Sequence, residues 1–382
     1  MDKKLVYSLI IGCTLSGCLK HEASYKEKSI NIQLSDEPYF IKADSIFSNV
    51  TYIPLETTDE SIFYDINKLN YHNDNFYVLD SKQAAILVFD KTGKYVKKLM
   101  RKGNGPSEYL TIEDFFLKDD LLYILSSSMN KILVYNDNFD FVKSYSLGTF
   151  ATNMQYINNS IFVYTNFASE DYKNIYEIDI NTGKIIKKYV DFFKKQRGVR
   201  YSTSGFAKEN DSLFITFPYD YSIYKIETSG YSRFYTIDFG KKYMYSPEWL
   251  KLSDEERTEK ISTKYRDFWE LPINSINNLS LSEKYLTFTF VHRMSEHKFV
   301  LNRKTGKFFA SYISSSTQYP FMDGKFSGMI DDKFIICAQS DIILETVDNL
   351  KKNKFKLNSN TSFVDRIKPA DNPVICIYTL NY

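Results

Sequence analysis

The 382-residue chain contains few of the residues that hold metals: it has four histidines and four cysteines. These residues show none of the spacings that a zinc site requires, so we expect no metal and no cofactor. The chain also lacks G-x-S-x-G, G-x-x-x-x-G-K-[ST] and H-E-x-x-H. Their absence argues against an α/β-hydrolase, a P-loop nucleotidase and a zinc protease.

Neither sign of charge dominates, since 49 basic residues face 47 acidic ones. A nucleic-acid partner would need a concentrated basic face, and we therefore expect none. Glycine and proline are also sparse, at 14 and 9, whereas aromatic residues make up 16% of the chain. This composition favours many short strands around a large core.

The N-terminus has the order of an export signal. Lys3 and Lys4 precede an apolar run, Leu5–Leu15, that is too short to cross a bilayer. The following Leu-Ser-Gly-Cys, which ends at Cys18, resembles a bacterial lipobox. The alternative is an uncleaved apolar N-terminus with a chance cysteine.

The lipobox interpretation divides the chain into three parts. Residues 1–17 form a lipoprotein signal peptide, residues 18–39 form a tether that begins at the lipidated Cys18, and residues 40–382 form the folded domain. The protein would then lie at the bacterial cell envelope, attached to a membrane by acyl chains alone. Whether it faces the periplasm or the cell surface stays open.

The stretch from Tyr71 to Tyr109 reads as a small antiparallel meander. Polar residues separate its apolar runs, and Asp90-Lys91-Thr92-Gly93 supplies a turn in which Gly93 is free to take a positive φ. A further strand precedes this stretch. The predicted strands are Tyr64–Leu69, Phe76–Asp80, Ala84–Phe89 and Lys94–Leu99.

The same hairpin recurs along the chain. The positions equivalent to Asp90 are Asn136, Asp179, Glu227 and Arg303, at steps of 46, 43, 48 and 76 residues. Three of these steps match one blade of a β-propeller. The fourth step requires an insertion.

The segment 246–269 supplies that insertion, since Ser253-Asp254-Glu255-Glu256 is a helix-capping sequence and helix-forming residues follow it. A second inserted helix is predicted at Ile342–Leu350. Two strands without partners remain, Val50–Leu55 and Val374–Leu380, and we pair them in the last blade. The predicted fold is an all-β, six-bladed propeller with four-stranded antiparallel blades.

Several of these motifs together resemble the six-bladed β-propeller lipoproteins of Bacteroidales, which are similar to NHL-repeat propellers. They are the lipobox, the YIPLE strand, the YVLD…ILVFDKTGKYVKKL hairpin, the corner Arg101–Tyr109 and the terminal NPVICIYTL. The resemblance covers the mature chain and implies the propeller fold and an envelope location. Its most specific part is the corner motif G-x-G-P-x-E-Y, which later blades lack.

The corner therefore supplies the candidate site. Arg101, Glu108 and Tyr109 would lie between blades one and two, where they could form a polar cluster at the mouth of the axial funnel. Alternatively, Glu108 accepts hydrogen bonds from the backbone or from Arg101 and locks the two blades together. Asp80 and Asp114 carry the same two interpretations.

Most tyrosines and phenylalanines on strands are expected in the core. Tyr109, Tyr201, Tyr219 and Tyr221 stand near predicted loops, where they could stack on sugar rings.

Only Cys337 and Cys376 remain as cysteines of the folded domain, and both lie in apolar runs predicted to be neighbouring strands. We favour two buried free thiols over a disulfide, which an oxidising periplasm would allow.

Three functions remain. The first is a monomeric, non-catalytic envelope lipoprotein that binds a glycan, a peptide or a protein at the funnel. The second is a lyase or hydrolase that uses carboxylate, Arg and Tyr side chains facing the funnel, and a cluster of these around a void would favour it. A flat aromatic platform would favour the binding protein. The third is a scaffold whose outer helices, such as Pro247–Phe268, dock a partner through an exposed apolar stripe.

Overall fold

The computed structural model describes residues 28–36, 39–198, 205–228, 230–265, 267–355 and 359–382. The predicted signal peptide, the predicted lipidation site Cys18 and the candidate Tyr201 lie outside these residues. None of the helices in the described part of the chain is long and apolar enough to cross a membrane.

The described chain forms six sheets, each built on four antiparallel strands that follow one another from the channel outward. The innermost strands of all six sheets line one central cavity, which makes the sheets the blades of a propeller. The predicted six-bladed fold is confirmed. In chain order the strands are β1 Lys28–Asn31, β2 Phe40–Lys42, β3 Phe47–Pro54, β4 Lys68–His72, β5 Asn75–Asp80, β6 Ala85–Asp90, β7 Tyr95–Leu99, β8 Asp114–Lys118, β9 Leu121–Ser126, β10 Lys131–Asn136, β11 Phe141–Ser146, β12 Asn153–Ile157, β13 Ser160–Tyr164, β14 Lys173–Asp179, β15 Ile185–Asp191, β16 Ala207–Glu209, β17 Ser212–Phe217, β18 Asp220–Glu227, β19 Gly230–Asp238, β20 Asn277–Leu281, β21 Tyr285–His292, β22 Ser295–Asn302, β23 Phe308–Ser314, β24 Lys325–Ile330, β25 Lys333–Ala338 and β26 Val374–Leu380.

The first strand of blade one begins four residues later than predicted, because β4 runs over Lys68–His72 instead of Tyr64–Leu69. Its hairpin with β5 turns at Asn73 and Asp74, whose φ angles are 47° and 59°. Asn and Asp tolerate this left-handed region better than other side chains that carry a Cβ. Similar Asn or Asp turns close the inner hairpins of four other blades. Their positive-φ residues are Asp119, Asn158, Asn210, Asp331 and Asp332.

The outer hairpins carry the repeat that the sequence shows, with one correction. In blade five the residue equivalent to Asp90 is Asn302 and not Arg303. The Asn302 carbonyl accepts from Gly306 N at 2.9 Å, as the Asp90 carbonyl accepts from Gly93 N at 2.9 Å. The side chain of Arg303 instead forms an ion pair with Glu209 of blade four.

The last blade closes as predicted. β3 pairs antiparallel with β26, with Pro54 opposite Val374 and Val50 opposite Tyr378. The first and last strands of the propeller thus share a sheet, and no open edge remains between them.

The segment before β3 continues this use of edges. β1 and β2 add as fifth, parallel strands to the outer edges of blades four and five. In β1, Ile30 is buried in the core between these two blades. The predicted tether, 18–39, therefore contains a strand, Lys28–Asn31, that the sequence did not indicate.

The predicted helical insertion lies between blades four and five and contains α1, Asp254–Lys264. The capping box is present: Ser253 Oγ accepts from Glu256 N at 3.2 Å, and the Glu256 carboxylate accepts from Ser253 N at 2.7 Å. The second predicted helix is α2, Ser340–Lys352. Short 3₁₀ helices occur at Ala43–Ser45, Ser127–Met129, Lys194–Gln196, Lys241–Tyr243, Pro247–Lys251, Phe268–Glu270 and Ser359–Asp365.

Cys337 and Cys376 lie on the neighbouring strands β25 and β26 as free, buried thiols. Cys337 is opposite Ile375, and Cys376 is opposite Ile336. Because side chains alternate along a strand, the two thiols point to opposite faces of the sheet and cannot form a disulfide. Burial raises the pKa of Cys337 to about 11, so this thiol stays protonated at neutral pH.

Candidate functional site

A polar channel runs along the axis of the propeller. Each innermost strand, β4, β8, β12, β16, β20 and β24, contributes side chains to it, and the main cavity has a volume of about 430 Å³. This size lies within the range of about 300–1,000 Å³ that is usual for small-molecule sites. The channel is therefore large enough to hold a ligand.

An ion pair crosses the wall of the channel. Lys68 Nζ lies 2.6 Å from Asp114 Oδ1, and the side chain of Asp114 is only 3% exposed. The same carboxylate accepts from Met154 N at 2.7 Å and from Phe115 N at 2.8 Å. Asp114, a predicted site residue, thus lines the channel and connects blades one, two and three. Its charge is balanced by Lys68.

Amide side chains project into the channel from two blades. Asn153 Oδ1 accepts from Thr152 Oγ1 at 2.9 Å, and Gln155 Oε1 accepts from Tyr156 N at 3.0 Å. Their NH₂ groups, and the whole amide of Asn70, form no hydrogen bond with the described residues. The channel therefore offers amide donors that are free to bind a ligand.

Lys208 is a cation without an acidic partner among the described residues. Its ammonium lies 3.2 Å from the centroid of the Tyr156 ring, and the ammonium of Lys118 lies 5.9 Å from the same centroid. Burial lowers the pKa of Lys208 to about 8; the charge of Asp211 opposes this shift, and the charge of Lys118 adds to it. Because the ammonium of Lys208 is partly buried and loses its proton more readily than that of an exposed lysine, it can bind an anion or take part in proton transfer.

Lys208, Tyr156 and Lys118 lie at the end of the channel where the innermost strands finish, which we call the exit end. A second cavity of about 350 Å³ lies there, lined among others by Asn70, Gln155, Tyr156 and Lys208. It shares Asn70, Gln155 and Lys208 with the main cavity. His72 also lines it, and its buried Nε2 atom has no hydrogen-bond partner among the described residues.

The corner from Arg101 to Tyr109 is built differently. The Glu108 carboxylate accepts from Gly105 N at 2.8 Å. A Cβ on Gly103 would collide with this carboxylate. Glu108 thus closes its own loop, and no ion pair joins it to Arg101 in the described structure.

Tyr109 is fully buried between blades one and two. Its hydroxyl accepts from Arg101 N at 3.1 Å and donates to Leu99 O at 3.3 Å. The guanidinium of Arg101 lies 5.9 Å from the centroid of the Tyr135 ring. None of the three predicted corner residues is among the residues that line the channel cavities.

Asp80 is also buried and lies outside the channel lining. Its carboxylate accepts from Tyr64 N at 2.8 Å and from Lys82 N at 2.9 Å. The structure therefore gives Asp80 a position that stabilises the turn after β5. Of the five predicted ligand-binding residues, Asp114 is the one that the channel contains.

Tyr219 and Tyr221 pack beneath the helical insertion. The Tyr221 hydroxyl donates to Ile273 O at 2.7 Å and accepts from Tyr245 N at 2.7 Å. The ring of Tyr219 stacks on Trp249 at a centroid distance of 6.3 Å. Neither residue contributes to an aromatic platform at the funnel.

Two features that would distinguish an enzyme or a scaffold from a binding protein are not found in the described structure. The described lining of the main cavity contains no arginine and no tyrosine, so it does not form the Arg–Glu–Tyr cluster expected of the enzyme. Helix α1 exposes mainly charged and polar side chains and offers no apolar stripe for a partner. In the described segments, no group of three His, Cys, Asp or Glu side chains could hold a metal.

Sequence reasoning missed Lys68 and Lys208. A signal for Lys68 was present, because Lys68, Asn70 and His72 are polar at alternate positions just before the Asn73–Asp74 turn. An innermost strand of a propeller faces the channel with such alternate residues. Lys208 precedes the turn at Asn210 by two residues, as Tyr71 precedes the turn at Asn73, so this alternation does not indicate Lys208.

The fold and the channel define a six-bladed β-propeller with a polar axial cavity. The chain belongs to the family described as "Domain of unknown function (DUF4934)", whose model matches residues 27–379. No curated protein matches the sequence.

Two solved structures from Bacteroides are similar to this chain. A protein described as exported from Bacteroides fragilis is 16% identical and superposes with a TM-score of 0.75 over 93% of this chain and 100% of its own. A member of the DUF4221 family from Bacteroides vulgatus is 12% identical, with a TM-score of 0.49 over 88% of this chain and 97% of its own. At these identities the likeness concerns the fold.

Proposed function

We propose that the protein is a lipoprotein of the bacterial cell envelope that binds a glycan in its axial channel. The observation that carries this proposal is the set of unused NH₂ groups of Asn70, Asn153 and Gln155, with the unused amide oxygen of Asn70, in a cavity of about 430 Å³. Sugar hydroxyls both donate and accept hydrogen bonds, and amide side chains match them in both roles. A peptide or a protein segment is the other class of ligand with suitable polar groups.

The envelope location rests on the N-terminal sequence. Lys3, Lys4 and the apolar run Leu5–Leu15 lead to the lipobox cysteine, Cys18. A propeller of similar fold is described as an exported protein. Labelling of the expressed protein with a radioactive fatty acid tests the anchor: wild type should incorporate label and Cys18→Ser should not. Label in both proteins would contradict it.

Glycan binding is tested by a thermal-shift screen of the chain from Leu19 against a panel of oligosaccharides. A ligand should raise the melting temperature of the wild type and lose most of this effect in Gln155→Ala and Asn70→Ala. Asn49→Ala is the matched control, since Asn49 is exposed on the outermost strand of blade six. Equal shifts in all three variants would place the ligand elsewhere.

The pKa of Lys208, lowered to about 8, favours a second candidate function. A general base works best when its pKa lies near the working pH, and Lys208 meets this condition inside the cavity. The protein would then be a lyase in which neutral Lys208 takes the proton from the carbon beside a carboxyl group of the bound sugar. As the double bond forms to the neighbouring carbon, the glycosidic bond from that carbon to oxygen breaks, and the oxygen takes a proton from water and leaves as a hydroxyl group of the departing sugar. Incubation with the ligand should produce a new carbon–carbon double bond, visible as ultraviolet absorbance; unchanged ligand after long incubation would leave binding as the function.

A further inference from the structure

The exit end of the channel concentrates positive charge around one aromatic ring. The ammonium groups of Lys208 and Lys118 both lie within 6 Å of the centroid of the Tyr156 ring, at 3.2 and 5.9 Å. The other lysines that line the main cavity are paired with carboxylates, Lys68 with Asp114 and Lys325 with Asp65. The exit end is therefore where an added negative charge would be stabilised most.

The acidic groups nearby do not neutralise Lys208. Lys118 Nζ pairs with Asp119 at 2.7 Å, but the side chain of Asp119 is 79% exposed. Asp211 and Asp331 are also exposed, at the rim. Solvent screens charges at such positions, so they hold Lys208 only weakly. Its ammonium keeps hydrogen-bonding capacity for a ligand.

We infer that the ligand of the channel is an acidic sugar, a glycan containing uronic acid, whose carboxylate binds the ammonium of Lys208. This inference rests on the proposed glycan-binding function. The hydroxyl groups of the same sugar would meet the amides of Asn70 and Gln155, which line the same cavity. The site would thereby bind the carboxylate and several hydroxyl groups of the same sugar.

The energetics favour this arrangement. Removing an ammonium from water without a partner is unfavourable, and the lowered pKa of Lys208 expresses that penalty. A carboxylate in contact supplies a charge-assisted hydrogen bond, which is stronger than a neutral one. The carboxylate therefore adds selectivity for acidic over neutral sugars.

Isothermal titration calorimetry of the chain from Leu19 tests the inference, with trigalacturonate as the probe and its fully methyl-esterified form as the neutral counterpart. We expect the acidic trimer to bind wild type about tenfold or more tightly than the ester. Lys208→Met should remove this preference, and Lys208→Arg should restore most of it. Lys352→Met, an exposed lysine at the end of α2, is the matched control and should behave as wild type.

Equal affinity of wild type for acid and ester would overturn the inference while leaving glycan binding intact. Binding of neither trimer, together with binding of a neutral oligosaccharide from the panel, would do the same. No binding of any sugar would overturn the proposed function as well. Melting curves of each variant confirm that the compared proteins are folded.

Acetate and inorganic phosphate serve as further probes. If acetate alone binds Lys208 as tightly as the trimer does, the site is a general anion site and the acidic-sugar inference is wrong. If trigalacturonate binds and acetate and phosphate do not compete with it at equal concentration, the sugar ring itself is recognised.

Discussion

The corner Arg101–Tyr109 and the wall of the channel both contain polar side chains, but those of the corner bind within the protein, whereas several of those in the channel keep free donors. At the corner, the Glu108 carboxylate accepts from Gly105 N of its own loop. The hydroxyl of Tyr109, which is buried between two blades, bonds with Arg101 N and Leu99 O. In the channel, Lys208 and the amides of Asn153 and Gln155 keep donors that no described residue uses. A conspicuous sequence motif can thus be architecture, whereas inconspicuous residues on short strands form the site.

The largest expected effect concerns the corner. Tyr109→Ala removes a fully buried aromatic ring and should lower the free energy of unfolding by about 3–5 kcal/mol. Urea unfolding measures this loss. Tyr109→Phe is the control and should lose only about 1 kcal/mol, for the hydroxyl bonds. Affinity for the channel ligand should not change in Tyr109→Phe; a large loss of affinity there would place the ligand at the corner.

A pair of buried aspartates sharpens the comparison. Asp114→Asn and Asp80→Asn should each destabilise the protein by about 1.5–3 kcal/mol, because each removes a charged acceptor of buried hydrogen bonds. In calorimetry, Asp114→Asn should also bind trigalacturonate more tightly, since Lys68 loses its partner in the channel. Asp80→Asn should bind as wild type. Unchanged affinity in both variants would argue against a ligand near Lys68.

A smaller effect is expected at Gly103. A methyl group there would displace the Glu108 carboxylate from Gly105 N, so Gly103→Ala should lose about 1–2 kcal/mol in urea unfolding. In a Glu108→Ala background the same substitution should have little further effect. Additive losses would show that Glu108 and Gly103 do not act together.

The pH dependence of stability tests Lys208. Its pKa in the folded protein is lowered from 10.5 to about 8. Between these values the unfolded chain binds more protons, so the folded state gains stability as pH rises. Lys208→Met lacks this gain. Its stability relative to wild type should therefore fall from pH 8 to pH 10.5 in urea unfolding, whereas Lys352→Met should show no such trend.

The smallest expected effect is none at all. Because Cys337 and Cys376 are free thiols on opposite faces of a sheet, a reducing agent should leave the melting temperature unchanged. A lower melting temperature in the reducing agent would indicate a disulfide and contradict the strand register.

The fold could be predicted because its signals are local and repeated. The turn at Asp90 recurs at one blade's spacing, and the strands Val50–Leu55 and Val374–Leu380 had no other partners. The edge strand at Lys28–Asn31 was missed because four residues carry too little pattern. Its pairing depends on the exposed edge of blade four, which no local sequence reveals.

The site could be predicted only in part. Asp114 was identified, but Lys68 and Lys208 were not, because they face the channel only once the innermost strands have closed into a ring. Lys208 meets Tyr156 across a blade boundary, 52 positions apart in the chain. Such a contact follows from closure of the propeller and has no counterpart in local spacing.

The most direct test of the account compares two substitutions against one ligand. Titration calorimetry with trigalacturonate should give an affinity about tenfold or more weaker for Lys208→Met than for wild type. Glu108→Gln should melt at a lower temperature and bind with the affinity of wild type. The opposite result, lost binding in Glu108→Gln and full binding in Lys208→Met, would place the site at the corner and contradict the account.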